Sequence, residues 1–267
     1  MNVTFLRIVN RFHFDRMKLQ AKGAAGVVCI SLLGAFCVAA QAQQKEGAKP
    51  AGTRSAYYYD PHELDLKLLV PQPPAVDSAA NKAELAELHS IEQRRTAEQA
   101  ARAKADEDNE SMFAFSTVLG AGFTAKALPI TAELGEHVKN EQSMAGGTLK
   151  GYFQRPRPYQ TDPTLHPVCA VKTVHDSYPS GHGLTGYLEA FTLVQLVPEK
   201  RAEILARAED YAHNRLVCGV HYPSDEEASL RVANAVFGNM LANPKFQHDL
   251  EAAREELKAK GIVAKKD

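Results

Sequence analysis

The sequence predicts an all-α protein, a helical bundle folded as a single domain. Apolar residues recur at helical spacing from about Ser78 onward, and no run alternates in the manner of a strand. Helix caps mark several of the segment boundaries.

In chain order, Tyr57-Tyr-Tyr-Asp-Pro61 and Pro71-Gln-Pro-Pro74 bracket a segment of turns and extended chain. Asp77 or Ser78 then caps a helix carrying Leu85, Leu88 and Ile91, which a small-residue stripe of Ala97, Ala100 and Ala101 continues. Met112 to Ile130 holds Gly120, Gly122, Lys126 and Pro129, and reads as a buried helix followed by a turn. Leu184 through Leu196 is a further apolar helix. Glu199 to Arg215 places Ile204, Leu205, Ala208, Tyr211 and Ala212 on one side, and Ser224 to Leu241 carries Ala228, Val232, Ala235, Val236, Phe237 and Met240. Asn243-Pro244 restarts a last helix as cap and first residue, with Phe246, Leu250, Ala253 and Leu257 as its stripe and Gly261 at its end.

The N-terminus reads as an export signal. Arg7, Arg11, Arg16, Lys18 and Lys22 precede an uncharged run from Gly23 to Ala39, and Ala40-Gln-Ala42 has the small-x-small pattern of a cleavage site. Met17 is an alternative start, and an uncleaved anchor is the competing reading of a run that is borderline for a bilayer. Cleavage after Ala42 divides the chain into a signal peptide (1–42), a flexible lead-in (43–56), one domain (57–262) and a tail (263–267), with a periplasmic or secreted destination. No later stretch is apolar enough for a convincing span, so the mature chain is expected to be soluble. Cys169 and Cys218 remain after cleavage. In an oxidising compartment they form one disulfide or stay as two buried thiols, and the sequence leaves both open.

The whole chain has a formal charge of −1, and removal of five basic residues and one acidic residue leaves 26 basic against 31 acidic side chains, a net of −5. A mildly acidic surface excludes the basic face of a nucleic-acid binder. It leaves room for anion binding at a pocket with local cations.

Three stretches concentrate chemistry: Lys150-Gly-Tyr-Phe-Gln-Arg-Pro-Arg157-Pro158, Ser177-Tyr-Pro-Ser-Gly-His182, and Arg215-Leu-Val-Cys-Gly-Val-His221-Tyr-Pro-Ser-Asp225. His221 and Asp225 are four apart, so a helix beginning near Ser224 brings carboxylate to imidazole. That contact fixes the tautomer and leaves Nε2 as nucleophile or base. Ser180-Gly181 before a helix presents backbone N–H groups to an anion, with His182 on the same turn as proton donor. Lys150, Arg157 and Arg215 supply the cations that a phosphoryl transition state requires. Arg155 could stand in for Arg157, but Pro158 marks a helix end where the Arg157 side chain would be aimed. His62, His89, His137, His213 and His248 read as surface or structural, while His166 and His175 are candidates for a pocket rim.

The order Lys-x6-Arg-Pro, Pro-Ser-Gly-His, Arg-x5-His-x3-Asp resembles the signature of the type-2 phosphatidic acid phosphatase and vanadium haloperoxidase superfamily, and within it the bacterial class A non-specific acid phosphatases. Tyr57-Tyr-Tyr-Asp and Leu69-Val-Pro-Gln-Pro-Pro-Ala75 add to the likeness. The resemblance implies an all-helical, metal-independent and cofactor-free phosphomonoesterase. It makes His221 the nucleophile of a phosphohistidine intermediate, Asp225 its orienting group and His182 the general acid and base. It gives Lys150, Arg157, Ser180, Gly181 and Arg215 the phosphate oxygens to hold. Asn214, Gly183 and Tyr222-Pro223 depart from the usual Ser, Thr and Trp-Gln, which touches pocket shape rather than mechanism. Small phosphorylated substrates are the expected partners, and a homo-oligomer is left open. Competing readings are an apyrase or pyrophosphatase, a lipid-phosphate phosphatase, a vanadate-dependent haloperoxidase and a phosphate-binding protein.

Overall fold

The computed structural model describes residues 55–263. The signal peptide, its cleavage site, the choice of start, nearly all of the lead-in and most of the tail lie outside the described residues.

Among the described residues there is no β-strand. The α-helices are α1 (Ala79–Arg94), α2 (Ala97–Asp108), α3 (Ser116–Leu119), α4 (Pro129–Phe153), α5 (Pro158–Thr161), α6 (Gly181–Leu196), α7 (Arg201–Val217), α8 (Pro223–Leu241) and α9 (Pro244–Ala259). The all-α fold expected from periodicity is the fold observed. No helix among the described residues is long and apolar enough to cross a membrane.

The central helix is α6, packed against α7, α8, α4 and α9. Its sequence is apolar nearly all round, as a helix buried on every side must be, and Leu184, Leu188, Leu193 and Leu196 are almost fully shielded. A Cβ at Gly186 would stand 2.7 Å from the Tyr211 ring, so glycine there lets α6 close on α7. Around this axis α4 contributes Leu134, Val138, Ala145 and Leu149, and α9 contributes Phe246, Leu250, Ala253 and Leu257, the stripe read from its spacing. Shortening one of these leucines to alanine would cost about 2–5 kcal/mol.

Caps explain most boundaries. Ser78 Oγ accepts from Asn81 N at the start of α1, and Asn243 Oδ1 accepts from Lys245 N at the start of α9. The stripe at Ala97 is not a continuation of α1: Arg95 turns extended, and Thr96 with Gln99 forms a capping box that opens α2. Two further expectations are corrected. Met112 to Ile130 is not one helix and a turn, because Met112–Phe115 is a 3-10 turn and α3 stops at Gly120, whose φ is +97°. Pro129 begins the long helix α4, since a missing N–H costs nothing at the first helical position. Likewise Pro158 starts α5 rather than ending a helix; α4 has already ended at Gln154, held left-handed at φ +46°.

Candidate active site

All three chemistry-bearing stretches meet where α4 ends, α6 begins and α7 passes into α8. Pro223 sits at the first position of α8 and Asp225 at its third, so Asp225 Oδ2 accepts from Tyr222 N at 2.9 Å. The same oxygen lies 3.2 Å from His221 Nδ1, the i,i+4 contact expected from the spacing. Both side chains are fully buried. The α6 N-terminus is tied to this turn. Ser180 N donates to Asp225 O at 3.2 Å, and Ser229 Oγ donates to Ser180 O at 2.8 Å.

Two arginines grip opposite sides of the His221–Asp225 pair. Arg157 Nη1 lies 3.2 Å from His221 Nε2 and donates to Val220 O at 3.0 Å, while its Nε donates to Asp176 Oδ1 at 2.7 Å. Arg155 does not substitute for it. Its Nη1 donates to Asp225 Oδ1 at 2.6 Å and to Ser224 Oγ, its Nη2 reaches Glu84 Oε2 at 2.7 Å, and its guanidinium lies 3.8 Å above the Tyr222 ring. Ser177 Oγ adds a 2.6 Å hydrogen bond to Asp225 Oδ2. Asp225 therefore meets only donors. Burial pushes its carboxyl upward, and Arg155, Ser177 and Tyr222 N–H work to keep it ionised. The sequence favoured Arg157 over Arg155, though on the ground of a helix end that Pro158 does not make, and it did not single out Ser177.

His221 is held well below the usual imidazole range. Burial lowers its pKa, and the charges of Arg157, Lys150, Arg215 and His182 lower it further. With Nδ1–H given to Asp225, Nε2 is the acceptor facing Arg157.

The cations have local counterions. Lys150 Nζ donates to Asp176 O, and burial together with Arg157 brings the amine down to about 8. Burial works to raise Asp176, but the Arg157 hydrogen bond and the charges of Lys150, Arg157 and Lys172 prevail and hold it at about 2. Arg215, near the end of α7, pairs with Glu107 Oε1 at 3.2 Å, and its Nε is buried without an acceptor.

Ser180 is the N-cap of α6, accepting from Gly183 N at 3.2 Å, so its own hydroxyl proton remains to be given elsewhere. A Cβ on Gly181 would stand 3.8 Å from Lys150 Cε and 3.1 Å from Gln142 Nε2, which puts both side chains beside the helix N-terminus. His182 Nε2 lies 3.2 Å from Glu107 O and its Nδ1 3.8 Å from Glu110 Oε1. Burial and the Arg215 charge bring it down to about 4, against the pull of Glu110 and Glu107. Lys150, Gly151, Gln154 and Thr173 to Asp176 line a hollow of about 490 Å³, which includes His175 but not His166, His182 or His221. A hollow of about 600 Å³ between Tyr58–Glu63 and Asn239–Pro244 contains none of the clustered residues.

Cys169 and Cys218 are joined by a disulfide, with Cα atoms 5.2 Å apart, which ties the loop before Ser177 to the turn carrying His221. The other histidines have structural partners or face solvent. His89 meets Asp162 at 2.9 Å, His137 meets the Tyr58 hydroxyl at 2.9 Å, and His62, His213 and His248 are exposed. Among the described residues no group of three or more His, Cys, Asp or Glu side chains is placed to hold a metal ion.

A buried imidazole–carboxylate pair with cations around it beside a helix N-terminus is an arrangement suited to holding an anion. The sequence profile of the PAP2 superfamily matches residues 141–245, the segment containing every clustered residue from Lys150 to Asp225. That segment matches the PAP2 superfamily, and the chain is a phosphatase. It is 29% identical over 84% of its length to the non-specific acid phosphatase of Providencia stuartii, spanning 96% of that protein. It is 32% identical over 57% of its length to the non-specific acid phosphatase of Salmonella typhimurium, spanning 63% of it. With an acid phosphatase of Zymomonas mobilis it shares 30% identity over 54% of its length and 55% of that protein. Among solved structures, a transmembrane PAP2 type phosphatidylglycerolphosphate phosphatase from Bacillus subtilis aligns with 62% of this chain and 87% of its own, at 17% identity and a TM-score of 0.43.

Proposed function

We propose that the chain is an exported acid phosphatase whose domain, residues 57–262, hydrolyses a broad range of small phosphomonoesters through a phosphohistidine on His221. The observation that carries this reading is the 3.2 Å spacing on each side of the His221 ring, Asp225 at Nδ1 and Arg157 at Nε2. It gives a neutral imidazole a fixed lone pair and sets a phosphate-binding guanidinium beside it.

In the first step Nε2 forms a bond to phosphorus as the ester P–O bond breaks, and His182 gives its proton to the departing alkoxide. In the second, His182 takes a proton from water, the oxygen attacks phosphorus and the P–N bond breaks. Inorganic phosphate leaves, His221 is neutral again and His182 is protonated. Lys150, Arg157, Arg215, Ser180 Oγ and the N–H groups at Gly181 would hold the phosphoryl oxygens, with all positive charge supplied by side chains and the helix terminus. A bound phosphate opposes the Arg215 charge that lowers His182, so substrate binding itself favours the acid form. With His182 low in the free enzyme, that requirement favours operation in acid.

Similarity to proteins named acid phosphatase and the Cys169–Cys218 bond support export and phosphomonoester hydrolysis, the disulfide because such bonds persist in oxidising compartments. The test is side-by-side turnover of an aryl phosphate, a nucleoside triphosphate and a lipid pyrophosphate, with a chelator present, across pH. The monoester should be cleaved fastest, in acid and without effect of the chelator. Preference for the triphosphate or lipid, or abolition by the chelator, would reject the reading.

A further inference from the structure

Glu226 follows Asp225 on α8 and is only 7% exposed. Both of its carboxyl oxygens are buried and neither makes a hydrogen bond of regular geometry, with the Ser180 hydroxyl as the polar group beside them. A buried carboxyl so weakly satisfied beside a reactive centre is costly and calls for a reason.

Its position supplies one. A side chain at residue 183 would occupy the same space as Glu226 Oε2, with its Cβ 3.1 Å from Glu226 Cδ and 3.4 Å from Ser180 Oγ. The carboxyl therefore sits in a notch that exists because residue 183 is glycine, and it shares that notch with the Ser180 hydroxyl at the N-terminus of α6. Glu226 and Gly183 are complementary in shape, and together they change the environment of one proposed phosphate ligand.

The groups that bear on this carboxyl come from four helices: Asp225 on α8, Ser180 and Tyr187 on α6, Arg215 on α7 and Lys150 on α4. Burial drives its pKa up and Asp225 adds to the effect, while Ser180, Arg215 and Lys150 oppose it, leaving the group at about 8. In acid it carries a proton. Ser180 Oγ accepts from Gly183 N and keeps a lone pair and a proton of its own. A neutral Glu226 can give its O–H to that lone pair, which directs the serine proton to an incoming phosphate oxygen. An ionised Glu226 would take the serine proton instead and add negative charge next to the anion.

We propose that Glu226 is a positioning residue for phosphate: as a neutral acid it turns the Ser180 hydroxyl toward the anion, and as a carboxylate it withdraws that donor and repels the ligand. This inference rests on the reading of Ser180 as a phosphate ligand and makes Glu226, together with the Lys150 amine at about 8, a determinant of the alkaline limit of binding.

The test compares the parent with Glu226→Gln and Glu226→Leu from pH 6 to 9, reading KM for an aryl phosphate, kcat, and competitive inhibition by inorganic phosphate. Titration of phosphate and of the Lys150 amine, at about 8, is common to all three proteins, so differences between them isolate Glu226. One pH unit above its transition the binding-competent fraction of the parent is about a tenth, so parent affinity should fall about tenfold further than that of Glu226→Gln. The loss should appear in KM and the inhibition constant more than in kcat. Glu226→Leu should share the flattened profile at weaker affinity, because it lacks both the charge and the donor. Should one variant fail to fold, the other decides alone. Parallel pH profiles in parent and variants would overturn this proposal and leave the phosphatase reading standing. A parent that neither cleaves aryl phosphate nor binds phosphate at any pH would overturn both.

Discussion

Arg157 Nη1 lies 3.2 Å from His221 Nε2, and the same guanidinium donates to Asp176 Oδ1 and Val220 O. One planar fork thus fixes His221 Nε2, a counterion and the backbone next to that histidine. Lysine has one nitrogen and cannot reach all three. Arg157→Lys should lower kcat/KM by roughly 10²–10³, the scale of losing one preorganised oxyanion donor. The change should fall on kcat as well as KM, measured by steady-state kinetics on an aryl phosphate.

Arg155 should behave differently. It touches Asp225, Glu84, Asn81 and Ser224 and stacks on Tyr222, and none of these contacts faces the proposed phosphate position. Arg155→Met leaves the buried Asp225 and the partly buried Glu84 without their cation. Breaking such a pair from one side costs about 3–5 kcal/mol. Denaturant unfolding should show this as a large fall in stability, well beyond that of Arg157→Lys.

If His182 is the proton donor, its removal must matter most when the leaving group is basic. His182→Asn should lose roughly 10²–10⁴ in kcat with an alkyl phosphate and much less with a phosphate ester of an acidic phenol. Equal losses on both substrates would point to a role in binding instead. Burial and Arg215 hold this ring at about 4 in the free protein, so kcat/KM should decline as pH rises above that value.

Glu226 also leaves a mark on stability. Its folded-state value of about 8 lies above the ordinary 4.5. A group raised in this way contributes fully below about 4.5, and its contribution is lost as pH rises toward 8. Glu226→Gln does not titrate. The difference in Tm, variant minus parent, should therefore grow between about pH 4.5 and 8 and level off above. Glu189, also raised by burial, is present in both proteins and cancels.

The helices were legible where periodicity and caps agreed, as at Asn243-Pro244 and the stripe from Phe246 to Leu257. They were not legible where a polar turn interrupts an apolar pattern. Thr96 breaks α1 from α2 by capping, and Gly120 stops α3 after one turn, and neither event changes the hydrophobic period. The three chemical clusters could be read because each couples an unusual residue type to a fixed spacing. Arg157 was chosen over Arg155 for a helix end at Pro158, but the physical reason that Arg157 is the one facing His221 was not legible, because it depends on the left-handed Gln154 and on Asp225 packing behind. The countercharges were hidden for a similar reason. Glu107, Glu110 and Asp176 lie on surface-like sequence and reach the centre only through tertiary packing. Gly183 was visible as a departure from the family pattern, but Glu226, which fills the space it leaves, is 43 residues away in the chain.

The most direct measurement is to quench the reaction within its first turnovers under alkaline denaturing conditions, which preserve a phosphorus–nitrogen bond, and to map the phosphoryl group by peptide mass spectrometry. The account predicts one phosphoryl group on the imidazole of His221 in the parent and none in His221→Ala. A phosphoryl group on any other residue, or one that persists in His221→Ala, would contradict it.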